Sequence, residues 1–205
     1  MSWLFATAYD PFMRRTERAC LADWRRELLA ALPAIGARVL EIGAGTGANL
    51  AFYPALERLV LSDADPHMLA RLGRRPELGR AEVVHASAGD LPFDDGSFDA
   101  VVSTLVLCSV PDQAVTLGEI RRVLRPGGAL VFLEHVAAED VPSRLRWQRR
   151  IEPLWSRVAG GCHLTRDTRA AIERAGFTFE ALTKESMRKA LPIVRPTIRG
   201  VARKS

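Results

Sequence analysis

The chain has 205 residues, with 29 basic against 24 acidic side chains and a net charge of +5. Apolar residues make up 48% and charged ones 26%, ordinary globular usage that excludes a disordered or fibrous chain. The length suits one core, a single domain over residues 1–205. No apolar run reaches the roughly 18 residues that span a bilayer, and Met1-Ser2-Trp3-Leu4-Phe5-Ala6 lacks the length and basic start of a secretory leader. Cys20, Cys108 and Cys162 are too scattered to signal a disulfide framework or a zinc site, so no metal is expected and a reducing cytoplasm is the simplest setting.

Residues 14–31 carry Cys20, Leu21, Trp24, Leu28 and Leu29 at helical spacing, and Pro33 and Gly36 end that element. Strands are predicted near 38–42, 58–62, 81–85, 98–104, 128–134, 176–182 and 197–203, with helical stretches between most of them. The clearest helix runs from Gln113 to Leu124, closed by Arg125-Pro126-Gly127-Gly128 as a stop and a turn. Strands alternating with helices predict an α/β fold with a seven-stranded, mostly parallel sheet and right-handed crossovers. Ligands of such sheets sit beyond the carboxyl ends of the strands. That rule places Glu41, Asp63, residues 103–108 and Glu134-His135 along one rim.

The run Val39-Leu40-Glu41-Ile42-Gly43-Ala44-Gly45-Thr46-Gly47 is an apolar strand that turns at once through three glycines. Glycine permits backbone conformations closed to other residues and a close approach by a ligand. The spacing is G-x-G-x-G, whereas dinucleotide sites read G-x-G-x-x-G with the helix N-terminus on a pyrophosphate. Glu41 would repel phosphate but suits a cation. S-adenosylmethionine, with an ammonium, a sulfonium and no phosphate, fits this chemistry better than NAD.

From Glu41 to Gly47 the chain resembles motif I of the class I S-adenosylmethionine-dependent methyltransferases. The resemblance continues through Leu59-Val60-Leu61-Ser62-Asp63-Ala64-Asp65-Pro66, Leu91-Pro92-Phe93, Ser97-Phe98-Asp99-Ala100 and Arg122-Val123-Leu124-Arg125-Pro126-Gly127-Gly128. It implies a Rossmann-like fold with an N-terminal helical flap over residues 1–36, and Tyr9-Asp10 ahead of the first helix belongs to that flap. It implies a donor cradle of Glu41, Gly43, Ala44, Gly45, Gly47 and Asn49, with Asp63 on the ribose hydroxyls. Ala64, Met68 and Thr104 complete the cradle, and Ser87 with the Ala88 main chain holds the adenine edge unless Asp90 is the acid that does so.

On the acceptor side, Thr104-Leu105-Val106-Leu107-Cys108-Ser109-Val110 is an apolar rim, unlike the Asn-Pro-Pro-Tyr signature of nucleic-acid amino-group methylases. With Phe132-Leu133-Glu134-His135-Val136, Glu152-Pro153-Leu154-Trp155 and Gly160-Gly161-Cys162-His163-Leu164-Thr165-Arg166, the chain is similar to the methyltransferase-like alkyl thiol S-methyltransferases. It is less sharply similar to bacterial enzymes that methylate phosphatidylethanolamine or quinone precursors. The resemblance implies a small-molecule acceptor, a thiol first. The alternatives are an N-methylated phospholipid amine, O- or C-methylation of a natural product, or a donor-binding regulator without turnover. From the short stretch before its first helix no N-terminal membrane anchor is expected, unlike in the animal thiol enzymes.

His135 is the expected general base, since imidazole titrates near neutral pH, with Glu134 orienting it or meeting the donor's amino group. Tyr9, Leu107, Cys108, Trp147, Trp155 and His163 are the expected acceptor-side residues, the last three within a lid over 140–166. The cluster Arg144, Arg146, Arg149, Arg150 and Arg157 reads as a solvated helix face or as a peripheral surface for anionic lipid head groups. Nucleic acid is disfavoured, because the cluster lacks the aromatic interleaving of a single-strand binder.

Overall fold

A computed structural model describes residues 3–32 and 36–205. Its strands are β1 (Arg38–Ile42), β2 (Arg58–Asp63), β3 (Glu82–His85), β4 (Phe98–Thr104), β5 (Leu124–His135), β6 (Phe177–Ser186) and β7 (Pro196–Lys204). They form one sheet in the order β3-β2-β1-β4-β5-β7-β6. The first five are parallel, and β7 inserts antiparallel between β5 and β6. The helices are α1 (Trp3–Thr16), α2 (Ala22–Leu29), α3 (Pro66–Leu72), α4 (Gln113–Val123), α5 (Pro142–Val158) and α6 (Thr168–Arg174).

Each of the seven expected strands is present, and two local expectations are corrected. The predicted helix over 14–31 is the second half of a longer helical run, in which a π-turn at Glu17–Leu21 joins α1 to α2. Tyr9 and Asp10 therefore lie inside α1, where Asp10 is fixed by the Thr46 hydroxyl at 2.5 Å and the Arg75 guanidinium at 2.8 Å. Pro33, the expected stop, lies outside the described residues, as do Met1 and Ser2. The predicted turn at 125–128 is instead the start of β5, which carries a register shift opposite Phe98 and Ala100 and a positive φ at Gly127.

Side chains of consecutive strand residues face opposite ways, and that parity divides the core. Val39, Ala100, Val102, Val131 and Leu133 pack under α2, against Leu21, Trp24 and Leu28. Leu40, Ile42, Val101, Leu130 and Phe132 pack under α4 and α6, against Leu117, Ile120 and Ile172. The same parity sends Glu41 and Thr104 towards α2, and Ser103 and Glu134 to the other face. Helix starts are set locally: Asp65 accepts from the His67 N–H at 2.8 Å with Pro66 following, and Asp112 accepts from Ala114 and Val115. Among the described residues no helix is long and apolar enough to cross a membrane.

Candidate active site

A cavity of about 470 Å3 opens beyond the carboxyl ends of β1, β2 and β4, within the size range of small-molecule sites. The glycine turn forms its floor. Gly43 has φ of +58° and a side chain there would put its Cβ 2.5 Å from Val106 Cγ2. The turn therefore needs glycine both for its backbone and for its contact with the loop after β4. That loop starts with Leu105, held at φ of 61° with its N–H on the Leu133 carbonyl at 2.7 Å.

Glu41 is buried at the end of β1, where its oxygens accept from Asn49 Nδ2 at 2.8 Å and the Tyr53 hydroxyl at 2.7 Å. Arg25, reaching down from α2 and itself buried, donates to Asn49 Oδ1 at 2.8 Å and Thr104 Oγ1 at 2.9 Å, while Glu17 takes its other edge. Burial raises the Glu41 carboxyl to about 7, against the pull of Tyr53, Asn49 and Arg25. The cavity thus presents a carboxylate that a bound cation would hold ionised. Sequence reasoning missed Arg25 and gave no role to Tyr53. Arg25 lay in a helix that read as plain core, and only the register of α2 over β1 and β4 brings it here.

Asp63 ends β2 with Oδ2 on the Gly45 N–H and Oδ1 on the Asp65 N–H, both at 2.8 Å. Burial nonetheless pushes its carboxyl up. Ala44, Gly45, Asp63, Ala64, Met68, Ser87, Ala88 and Thr104 all line the cavity, together with Asp90. Ser87 and Asp90 pair across a tight turn, so both face the same end of the cavity. Two expected donor residues stand behind the wall. Asn49 acts through Glu41 and Arg25, and Gly47 packs beneath Leu50 and Leu72.

Tyr9, Leu105, Val106, Ser109, Val110, Ala159 and Gly160 also line the cavity. Burial pushes the Tyr9 phenol up to about 12, so it stays a protonated hydrogen-bond donor. The other residues expected on the acceptor side do not line this cavity. Glu134 is buried outside the cavity wall and accepts from the Ser103 hydroxyl at 2.7 Å, the Val106 N–H at 3.1 Å and the Cys108 N–H at 3.3 Å. It anchors the loop after β4. Its carboxyl is raised to about 7, chiefly by burial.

His135 is also buried outside the wall, with Nε2 3.4 Å from the Ile193 carbonyl and Nδ1 3.9 Å from Cys162 Sγ. It does not line the cavity. Leu107 and Cys108 are buried on the far side of their loop, because the Glu134 carboxylate ties down the backbone at 106 and 108. Trp147 is 59% exposed on α5, and Trp155 lies beneath that helix beside Cys162. His163 Nδ1 pairs with Glu152 at 3.2 Å. The two distant cysteines, by contrast, are gathered: Cys108 and Cys162 meet at His135. The hydrogen bond from Cys108 and the neighbouring His135 hold Cys162 low, while the same contact and burial push Cys108 up.

Residues 40–132 match the family model described as a methyltransferase domain. The chain is 39% identical over 192 residues to human thiol S-methyltransferase TMT1A, covering 89% of this chain and 79% of that protein. It is 43% identical over 145 residues to human thiol S-methyltransferase TMT1B, covering 68% of this chain and 59% of that protein. The fold is that of an S-adenosylmethionine-dependent methyltransferase of Thermotoga maritima, described as a possible histamine N-methyltransferase, with a TM-score of 0.73. The two share 19% identity, and the match covers 99% of this chain and 98% of that one.

Proposed function

The chain belongs to the S-adenosylmethionine-dependent methyltransferases, and from that premise we propose that it methylates the sulfur of a small thiol. The observation that carries the acceptor class is the 39% identity to a thiol S-methyltransferase along 89% of the chain. The cavity chemistry supports it. Glu41 would hold the ammonium of S-adenosylmethionine and Asp63 its ribose, with Met68 and the Ser87–Asp90 turn beside the adenine. Val106, Ser109, Val110 and Gly160 also line the cavity.

Bound there, S-adenosylmethionine would supply an electrophilic methyl group to the thiolate, the electron pair of the broken carbon–sulfonium bond remaining on the donor sulfur. A negative and a positive sulfur thereby become two neutral thioethers. Charge is lost on the way to the transition state, so a small apolar wall that excludes water favours the step. Alignment of the three atoms supplies much of the remaining acceleration. Tyr9 lines the cavity from α1, which Asp10 pins to the glycine turn and to Arg75. The test is release of S-adenosylhomocysteine with an alkyl thiol, phosphatidylethanolamine or a phenol as acceptor. Turnover is expected with the thiol, and turnover confined to either of the others overturns the assignment.

A peripheral lipid contact forms the second part of this reading. Trp147, Leu154 and Val158 are exposed on one stripe of α5, bordered by exposed Arg146, Arg149, Arg150 and Arg157. The helix's Glu152 is turned towards His163 and Thr165 instead. Apolar residues flanked by arginines suit the interface of an anionic bilayer. Cosedimentation is expected with phosphatidylserine vesicles and not with phosphatidylcholine vesicles, and Leu154→Glu should abolish it. Equal retention by the two vesicle types removes the proposal.

A further inference from the structure

We propose that Cys108, His135 and Cys162 form a binding site for a single thiophilic metal ion of the zinc class. The two sulfurs and the imidazole nitrogen all lie within 4.8 Å of one another, with Cys162 Sγ 3.9 Å from His135 Nδ1. Zinc–sulfur bonds of ~2.3 Å and zinc–nitrogen bonds of ~2.0 Å set tetrahedral edges of roughly 3.5–3.8 Å. The three groups therefore reach ligand distance by side-chain movements of less than about an ångström.

What surrounds them is the outer shell such a site needs. A metal-bound histidine directs its other N–H to an acceptor, which fixes the tautomer. Here His135 Nε2 faces the Ile193 carbonyl at 3.4 Å, and that carbonyl is itself held by Gln148 Nε2 at 2.9 Å. This orientation leaves Nδ1, beside Cys162, as the lone-pair nitrogen. Among the described residues the buried Trp155 indole N–H has no oxygen or nitrogen partner, and it lies against the Cys162 sulfur, where an anionic thiolate would accept it. Arg166 sits near both cysteines and donates to the Leu107 carbonyl at 2.7 Å, so a cation offsets the charge of two thiolates. Glu134, whose charge reaches Cys108, is occupied by Ser103 and the loop backbone.

The ion would join two loops that each contribute to the cavity wall. Ser109 and Val110 follow Cys108, Ala159 and Gly160 precede Cys162, and all four line the cavity. The loops already touch through the His163 N–H on the Cys108 carbonyl at 2.8 Å. Three protein ligands leave a fourth coordination position, as open zinc sites do. Binding displaces any proton still carried by the two sulfurs and changes no oxidation state. The assignment goes beyond the thiol reading and does not depend on it. Spacing along the chain gave no sign of it, because the ligands come from three separate elements.

The test is titration of the full-length protein, reduced and under argon, with Zn2+ against a chromophoric chelator and with Co2+ by absorption. One ion per chain is expected, with sulfur-to-cobalt charge transfer in the near ultraviolet and tetrahedral visible bands. Cys162→Ser and His135→Asn are each expected to weaken binding at least 10-fold, and Cys20→Ser to leave it unchanged. Thermal stabilisation by S-adenosylhomocysteine, read on every variant, reports the fold and the donor site separately from the metal. Failure to bind in the reduced wild type overturns the proposal, as does undiminished binding in correctly folded Cys162→Ser. Quantitative Cys108–Cys162 disulfide formation that persists under reductant also overturns it.

Discussion

Replacing Glu41 by Gln is expected to weaken S-adenosylmethionine binding about 10- to 150-fold, the ~1.5–3 kcal/mol of a hydrogen bond to a charged group. The fold should survive. The amide oxygen still accepts from Asn49 Nδ2, and the amide nitrogen can donate to the Tyr53 hydroxyl, which reverses its role. The pH dependence separates this reading from a merely structural one. In the free protein burial holds the Glu41 carboxyl at about 7, and a bound cation favours the ionised form. Binding therefore expels a proton at and below that pH. Donor affinity should climb as pH rises through 7 and then level off, whereas the Gln variant should show a flat profile.

Stability of the free protein moves the opposite way. A carboxyl whose folded pKa lies above its unfolded value of ~4.3 stabilises the fold fully below that value. The contribution fades as pH rises through 7. Glu41→Gln should therefore gain in Tm relative to wild type between about pH 5 and 8. Calorimetry of donor binding from pH 6 to 8 measures the first effect and thermal melts the second. Unchanged affinity in the variant at every pH would remove Glu41 from the donor site.

The second large effect is structural. Glu134→Ala removes the acceptor for Ser103, Val106 and Cys108 and leaves buried N–H groups without partners. A loss of ~3 kcal/mol, or about 6–12 °C in Tm for a chain of this length, is expected. Glu134→Gln should recover part of it, since one amide oxygen can still serve Ser103 and Val106. Donor affinity should fall only modestly, through loosening of the loop that carries Val106 and Ser109. A wild-type Tm combined with a 1000-fold loss of turnover would return Glu134 to the chemistry.

The strand-and-glycine pattern made the sheet and the donor end legible because both are local. A strand followed by G-x-G-x-G needs only φ/ψ space and a close approach, and Asp65-Pro66 starts its helix by capping alone. Tyr9 apart, the residues expected on the acceptor side do not line this cavity, for an equally physical reason. Glu134 and His135 stand at a strand end where active residues gather, but parity turns the carboxylate into the α4 side of the core and burial keeps the imidazole from the cavity. Trp147 read as a roof and is a surface residue, since spacing along a helix does not say which stripe its neighbours cover.

The amino-acid sequence by itself determined the α/β architecture, the methyl-donor family and the two carboxylates at the ends of β1 and β2. The architecture follows from short-range rules of periodicity and turn chemistry, and the family from the resemblance of its ordered motifs. The tertiary structure alone decided that Arg25 reaches under Glu41, that Glu134 braces a loop, and that Cys108, Cys162 and His135 converge. Those contacts join residues 24 to 79 positions apart. Only the packing of helices over a finished sheet brings such distant side chains within bonding distance.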